Sequence, residues 1–336
     1  MLTSWAVRPL FGIALSAACL IALARTGVSI EDIATRLEHG NPAVLLPAVA
    51  LYFGGLFVRS IRWGFLLPGR RLPPLLLFRT LVIGLMVNDL LPLRLGELAR
   101  IVLLARNAST PIGVSFASIV VERVLDGLAL IALLGLGMAL LGRGDWLVQM
   151  TIASAFFVGL SIVLLGSAHA PGLARAIAAV LTAPLPDKIG DPLRRLVDGT
   201  LEGLRPITHP LIGISVLALS LLAWGVEAAM YVVIMAGFNV PDAIAAGPFG
   251  AAVANLATLI PSSPGYVGTF DLALQKVLVD VFYVASDVAA SATLVIHLAF
   301  VVPVVALGLL FLWREDLPLA QLARRPHALQ KAVAGR

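Results

Sequence analysis

A charged, broken stretch set between two apolar runs restricts this chain to very few folds. Asn88-Asp89-Leu90-Leu91-Pro92-Leu93-Arg94-Leu95-Gly96-Glu97-Leu98-Ala99-Arg100 has too few consecutive apolar residues to cross a bilayer and too many charges to lie in lipid. Pro92 and Gly96 interrupt the backbone inside an otherwise apolar region. Irregular backbone at membrane depth persists only where protein buries it or a wet cavity borders it. A second break, Pro261-Ser262-Ser263-Pro264-Gly265-Tyr266-Val267-Gly268-Thr269, repeats the Pro-x-x-x-Gly spacing in the other half. Two broken helices in corresponding halves are the sequence mark of a transport site near the bilayer midplane.

The rest of the chain supplies the membrane. Hydrophobic residues make up 60% of its 336 positions and charged ones 13%. The mean hydropathy is +0.99, far above that of a soluble domain. The expected class is therefore all-α: a polytopic membrane protein with about six spanning helices and two re-entrant helical hairpins. The net charge of +5 does not point to nucleic acid, because the basic residues flank apolar segments and serve cytoplasmic anchoring. Cys19 is the single cysteine, which removes a disulfide framework and a thiolate metal site. No Walker-type loop, His-Glu-x-x-His, Cys-x-x-Cys or Gly-x-Ser-x-Gly occurs, so no cofactor, metal or ATPase chemistry is expected.

Taken in order, Pro9 to Ala24 reads as a first membrane helix, since the residues after Cys19 stay apolar where a cleaved signal peptide would end its run. A second helix is expected from Pro42 to Val58, followed by the densest basic cluster, Arg59, Arg62, Arg70, Arg71 and Arg79. That side is read as cytoplasmic. Pro73 to Leu91 enters the membrane and Glu97 to Arg106 leaves it as a limb of about 15 Å, half a hydrocarbon core, so the pair forms a hairpin. A long helix follows from Ile112 to Leu141, and another returns through Leu165. Asp191-Pro192 is expected to cap an amphipathic helix with Leu193, Leu196, Val197, Leu201 and Leu204 on one face. Its simplest placement is the membrane surface, with docking on a partner as the alternative. The second half expects a helix from Leu211 to Gly237, a hairpin of Ala243 to Ile260 and Thr269 to Tyr283, and a last helix from Val288 to Trp313.

These segments give a single membrane domain over 1–336, with a first repeat at 42–141, a cytoplasmic linker at 167–210, a second repeat at 211–313 and a basic tail at 314–336. The two repeats read with opposite topology. Both termini fall on the cytoplasmic side of a bacterial-type inner membrane. Trp5, Trp63, Trp146 and Trp313 fall at expected membrane ends, and Trp224 alone is interior.

Asp89, Arg94, Glu97, Arg100, Glu122, Arg123 and Asp126 are ionisable groups in adjoining embedded segments. Each costs roughly 2.5–3.5 kcal/mol at a helix centre facing lipid. They must pair inside the bundle or line water. Glu122 and Asp126 share a helix face, and Arg123 reaches Asp126 at i,i+3. Two readings are open: internal salt bridges that glue the hairpin to the long helix, or arginines that hold an anionic head group. In the second break, the helix start near Thr269 offers unpaired N–H groups to an anion, with hydroxyls from Ser262, Ser263, Tyr266 and Thr269. Asn88 completes the candidate substrate-binding set. Arg59 and Arg62 are candidates for an entrance that collects lipid phosphates, or plain helix anchors. Glu227 and His297 are candidate proton relays or interior polar residues.

The pattern resembles a known family, the flippase-like membrane region of lysylphosphatidylglycerol synthases and its stand-alone bacterial and archaeal relatives. The resemblance rests on Arg59-x-x-Arg62-Trp63, the Asn88–Glu97 stretch with Arg100, Val121-Glu122-Arg123-Val124-Leu125-Asp126, and Pro261 to Phe270, in order over nearly the whole chain. It implies movement of a lipid between leaflets without a built-in ATPase. The implied partners are a membrane lipid and the bilayer, with no nucleic acid; a homo-oligomer is compatible with it. No aminoacyl-transfer domain is expected after Arg336, so translocation of some lipid rather than synthesis of the lysyl lipid is expected. The alternatives are a secondary transporter of a small anion, or an accessory or intramembrane enzyme of lipid or glycolipid synthesis using Glu97, Glu122 and Asp126.

Overall fold

The computed structural model describes residues 42–69, 72–91, 94–142, 147–259 and 264–314, with positions 31 and 35. The expected Pro9–Ala24 helix, Arg70, Arg71, Trp5, Trp146, Ser262, Ser263 and the basic tail after Arg314 lie outside these residues. Every regular element among the described residues is helical. The α-helices are α1 (Leu45–Phe65), α2 (Pro74–Leu90), α3 (Gly96–Ala108), α4 (Ile112–Leu141), α5 (Leu147–His169), α6 (Pro171–Thr182), α7 (Asp187–Leu204), α8 (Pro210–Gly237), α9 (Ala243–Ala257), α10 (Thr269–Lys276) and α11 (Ser286–Arg314).

Length separates the spans from the hairpin limbs. Helices α1, α4, α8 and α11 are long and apolar enough to cross a membrane; α5 and α6, which meet at 103°, add a fifth span if they count as one. The sequence led us to expect about six, one of which is the undescribed Pro9–Ala24. By contrast α2, with 17 residues, and α9, with 15, reach only about 22–26 Å, short of a core of about 30 Å. Proline at the first helical position starts α2, α6 and α8, where its missing N–H costs no helical bond. The bounds of α4 coincide with the apolar run, and it stops at Gly142 in a left-handed turn.

The halves interlock. Helix α1 packs along α8; the first hairpin limb, α2, packs on α11, and the corresponding limb, α9, packs on α4. Exchanging α1–α4 with α8–α11 in order maps these pairs onto one another. The end of α1, the start of α2, the end of α3 and the first turn of α4 border one crevice, through Leu67, Leu72, Ala108 and Val114. The first hairpin thus begins and ends beside the first turn of α4. The second begins at its last turn, where Asp242 and Ala243 meet Leu140 and Leu141. With 30 residues, α4 separates these two ends by about 45 Å.

Two expectations are corrected. Helix α1 runs on to Phe65, so Arg59 and Arg62 lie within it and not beyond its end. The amphipathic helix α7 begins at Asp187, with Pro192 inside it, and docks on the first turns of α4 instead of lying free on a surface. Its Gly199 faces Gly113 so closely that a Cβ on Gly113 would come 2.7 Å from the Gly199 Cα, and Leu201 and Leu204 are buried. The outward apolar face belongs to α6, where Leu173, Ile177, Val180 and Leu181 are exposed.

The first break is closed by a second close approach. Asn88 Oδ1 accepts the Gly96 N–H at 2.7 Å, and a Cβ on Gly96 would lie 1.9 Å from the Gly84 carbonyl oxygen. The Gly84 carbonyl is backbone and cannot swing aside, so Gly96→Ala is expected to destabilise the fold by about 3 kcal/mol or more. Gly159→Ala on α5, where nothing lies within 4 Å, should leave it unchanged. Thermal unfolding of both variants in detergent, followed by tryptophan fluorescence, checks the contrast.

Candidate functional site

Three arginines meet two acids where α1, α3 and α4 cross. Arg100 binds Glu122 with both guanidinium nitrogens, at 2.7 and 2.9 Å. Arg123 adds a third hydrogen bond to Glu122 at 2.9 Å and stands 3.7 Å from Asp126. Arg62, fully buried, donates to Asp126 at 2.7 Å and to Ser220 Oγ at 2.8 Å, and lies 3.6 Å from Glu122. The Trp224 indole N–H also donates to Asp126, at 2.9 Å. Trp63 is buried beneath Arg100, whose guanidinium sits 4.1 Å from the ring centre, and its N–H donates to Ser118. Trp63 is therefore a core residue and not a membrane-end anchor, whereas Trp313 is exposed.

A second pair ties the central helices together. Arg59 donates to Glu227 at 2.5 Å and covers the Trp224 ring at 4.1 Å. Asn255 donates to Glu227 at 3.4 Å and to the Tyr231 hydroxyl at 3.2 Å. The entrance expected at Arg59 and Arg62 is not where these side chains go: both point inward, because acids on α4 and α8 offer buried charges a partner that lipid does not. Glu227 is held in a pair, as an interior polar residue.

The two breaks touch. Arg94 donates to the Thr258 carbonyl oxygen and hydroxyl, just before the second break, and its guanidinium lies 5.4 Å from the Tyr266 ring centre. The Asp89 carbonyl oxygen lies against Gly265. The start of α10 is not the open anion site the sequence led us to expect. Asp271 Oδ2 accepts the Gly268 N–H at 2.8 Å, so a carboxylate of the helix itself already answers its positive end. The Thr269 hydroxyl is spent within the turn, donating to the Tyr266 carbonyl at 3.1 Å. His297 joins Asp271 Oδ1 at 2.6 Å and the Gly265 carbonyl at 2.8 Å.

Between these groups lies a cavity of about 110 Å³, lined by residues of both halves, several times the space one water needs. Arg94, Glu122, Arg123, Asp126 and Tyr266 from the expected substrate-binding set line it, together with Arg59 and Glu227, which were expected in other roles. Arg62 and Arg100 stand behind it, paired to the same acids. Glu97 and Asn88 face each other at 3.5 Å on the hairpin. Sequence reasoning missed Tyr52, Asn255 and Thr258, which also line it. The signal for Asn255 was present, a lone amide in an apolar helix three residues before Thr258.

Among known proteins, one similar sequence is the glycosyltransferase AglD of Haloferax volcanii, 24% identical over 309 residues. The match takes in 82% of this chain and 50% of the relative, so the chain spans about half that protein's length. No solved structure matches. The sequence model of the lysylphosphatidylglycerol synthase TM region matches residues 10–308, and the chain belongs to that family.

Proposed function

We propose that the chain is a lipid translocase, moving a polar or anionic lipid head between leaflets through the chamber between its hairpins, without an ATPase of its own. The observation that carries this reading is the charge left over in the cavity. Three guanidiniums, Arg62, Arg100 and Arg123, share two carboxylates, Glu122 and Asp126. The surplus positive charge reaches the cavity at Arg123, whose side chain is 40% exposed. Arg94 adds another, since its contacts among the described residues are neutral ones, to Thr258 and Tyr266; the Asp89 carboxylate on the same lining offsets one of these two charges and leaves one in surplus. A phosphate suits two such forks, and an apolar protein surface lets acyl chains stay in lipid while the head passes. Movement would expose the chamber first to one side and then to the other, as two opposed hairpins rock against fixed spans. In this reading the crevice end faces the cytoplasm of an inner-membrane protein.

A second reading takes up the relative's name, a glycosyltransferase: an accessory or intramembrane enzyme of lipid or glycolipid synthesis. Against a catalytic role here, Glu122 and Asp126 are each locked to arginine and poorly placed to exchange protons with a substrate.

Vesicles reconstituted with the protein should move a labelled lipid from native extract faster than empty ones; equal rates would end the translocase reading, and a chemically altered lipid in mass spectra would favour the second. Excess soluble phosphate should not compete. Arg123→Ala should slow translocation by at least about tenfold, a loss of about 1.4 kcal/mol in binding the moving head, yet fold, because Glu122 keeps Arg100 and Arg62. Arg100→Ala should instead cost about 3–5 kcal/mol of stability by stripping Glu122 of its two-pronged partner, read as a lowered unfolding temperature.

A further inference from the structure

The joint that fastens the second break contains a proton. His297 Nε2 lies 2.8 Å from the Gly265 carbonyl oxygen, which can only accept, so Nε2 carries a hydrogen. Nδ1 lies 2.6 Å from Asp271 Oδ1. Two lone pairs at that distance repel, so one more hydrogen sits in the gap, on the imidazole or on the carboxyl. Asp271 Oδ2 holds the Gly268 N–H, while Phe270 and Phe300 flank the imidazole with ring centres 4.9 and 5.1 Å away. A single hydrogen therefore completes a link between α11, the turn Pro264–Tyr266 and the first turn of α10.

The same turn rests on the first break, through the Asp89 carbonyl against Gly265 and the Tyr266 ring beneath Arg94. The charged group whose field reaches the pair is Asp89 on α2; Tyr52 on α1 stands one ring further off, against Phe300, and Tyr266 follows the Gly265 carbonyl that His297 holds. Asp89 lines the cavity, feels the charge of His297, and its carboxylate has no hydrogen-bond partner among the described residues.

We infer that the Asp271–His297 pair is the proton-binding site of the translocation cycle. The inference rests on the translocase reading and supplies its coupling ion. When the shared proton passes to the Asp89 carboxylate, that group becomes a neutral acid and the pair gains one negative charge. Two acceptors then face each other, the joint opens, and the turn against which the first break rests is freed. Binding a proton again closes it.

Hydrogen–deuterium exchange of the purified protein, read on peptides covering residues 264–276 from about pH 5 to about pH 9 and corrected for intrinsic rates, tests the joint without any lipid. Wild-type protection should fall at least about fivefold towards the alkaline end, and Asp271→Asn and His297→Gln should lose that response. Constant wild-type protection, or a response kept by both variants, overturns the assignment. In vesicles, collapsing an imposed pH gradient with an ionophore should slow wild-type translocation and leave Asp271→Asn unaffected; wild-type transport indifferent to the gradient also overturns the coupling. A wild type that moves no lipid strikes the translocase reading instead, and the exchange measurement still decides the joint.

Discussion

Buried charge compensation at Glu122 is the constraint from which the rest of the structure follows. An isolated carboxylate at membrane depth costs more than most single packing interactions return. Here α4 carries two of them on one face with a single arginine of its own, Arg123, and full compensation needs α1 and α3 to bring Arg62 and Arg100 to that face. This requirement fixes the rotation of α1 about its axis and the depth at which the first hairpin ends. It also forces α3 against α2, since Arg100 crosses directly over Gly84. The small residues at 84 and 96 are thus a consequence of where an arginine must be.

Strain collects where the hairpins meet. Arg94 and Tyr266 are both non-glycine residues in the left-handed region, at φ 52° and 58°, a conformation that costs of order 1–3 kcal/mol each. They face each other, the guanidinium over the ring. Each break therefore holds the other in a backbone state that neither segment would keep alone. Such a contact is suited to two arrangements rather than to gradual deformation.

The fold was legible where physics is local. The long helix 112–141 could be bounded from its apolar run alone, and both breaks announced themselves through proline and glycine. What escaped was set by distant partners. Arg59 and Arg62 looked like surface charge because their acids and Ser220 lie on other helices, up to 168 positions away. Trp63 was misplaced for the same reason. In α7 the amphipathic pattern was correct but its environment was not. The spacing Gly199-x-x-x-Gly203 was the overlooked sign that another helix would approach closely. At the start of α10, the anion expected from outside proved to be Asp271, two positions after Thr269.

The interlocked halves bear on how the chain is made. Arg59 enters the bilayer long before Glu227 exists, because 168 positions separate them, roughly ten to thirty seconds of synthesis at about 5–20 residues per second. The limb α2 waits longer still for α11. During that interval a nascent first half holds an arginine without its counterion and a limb without its bed. Either the insertion machinery or a second nascent segment must shelter it, so ribosome pausing between the halves would prolong the most vulnerable moment in this protein's life.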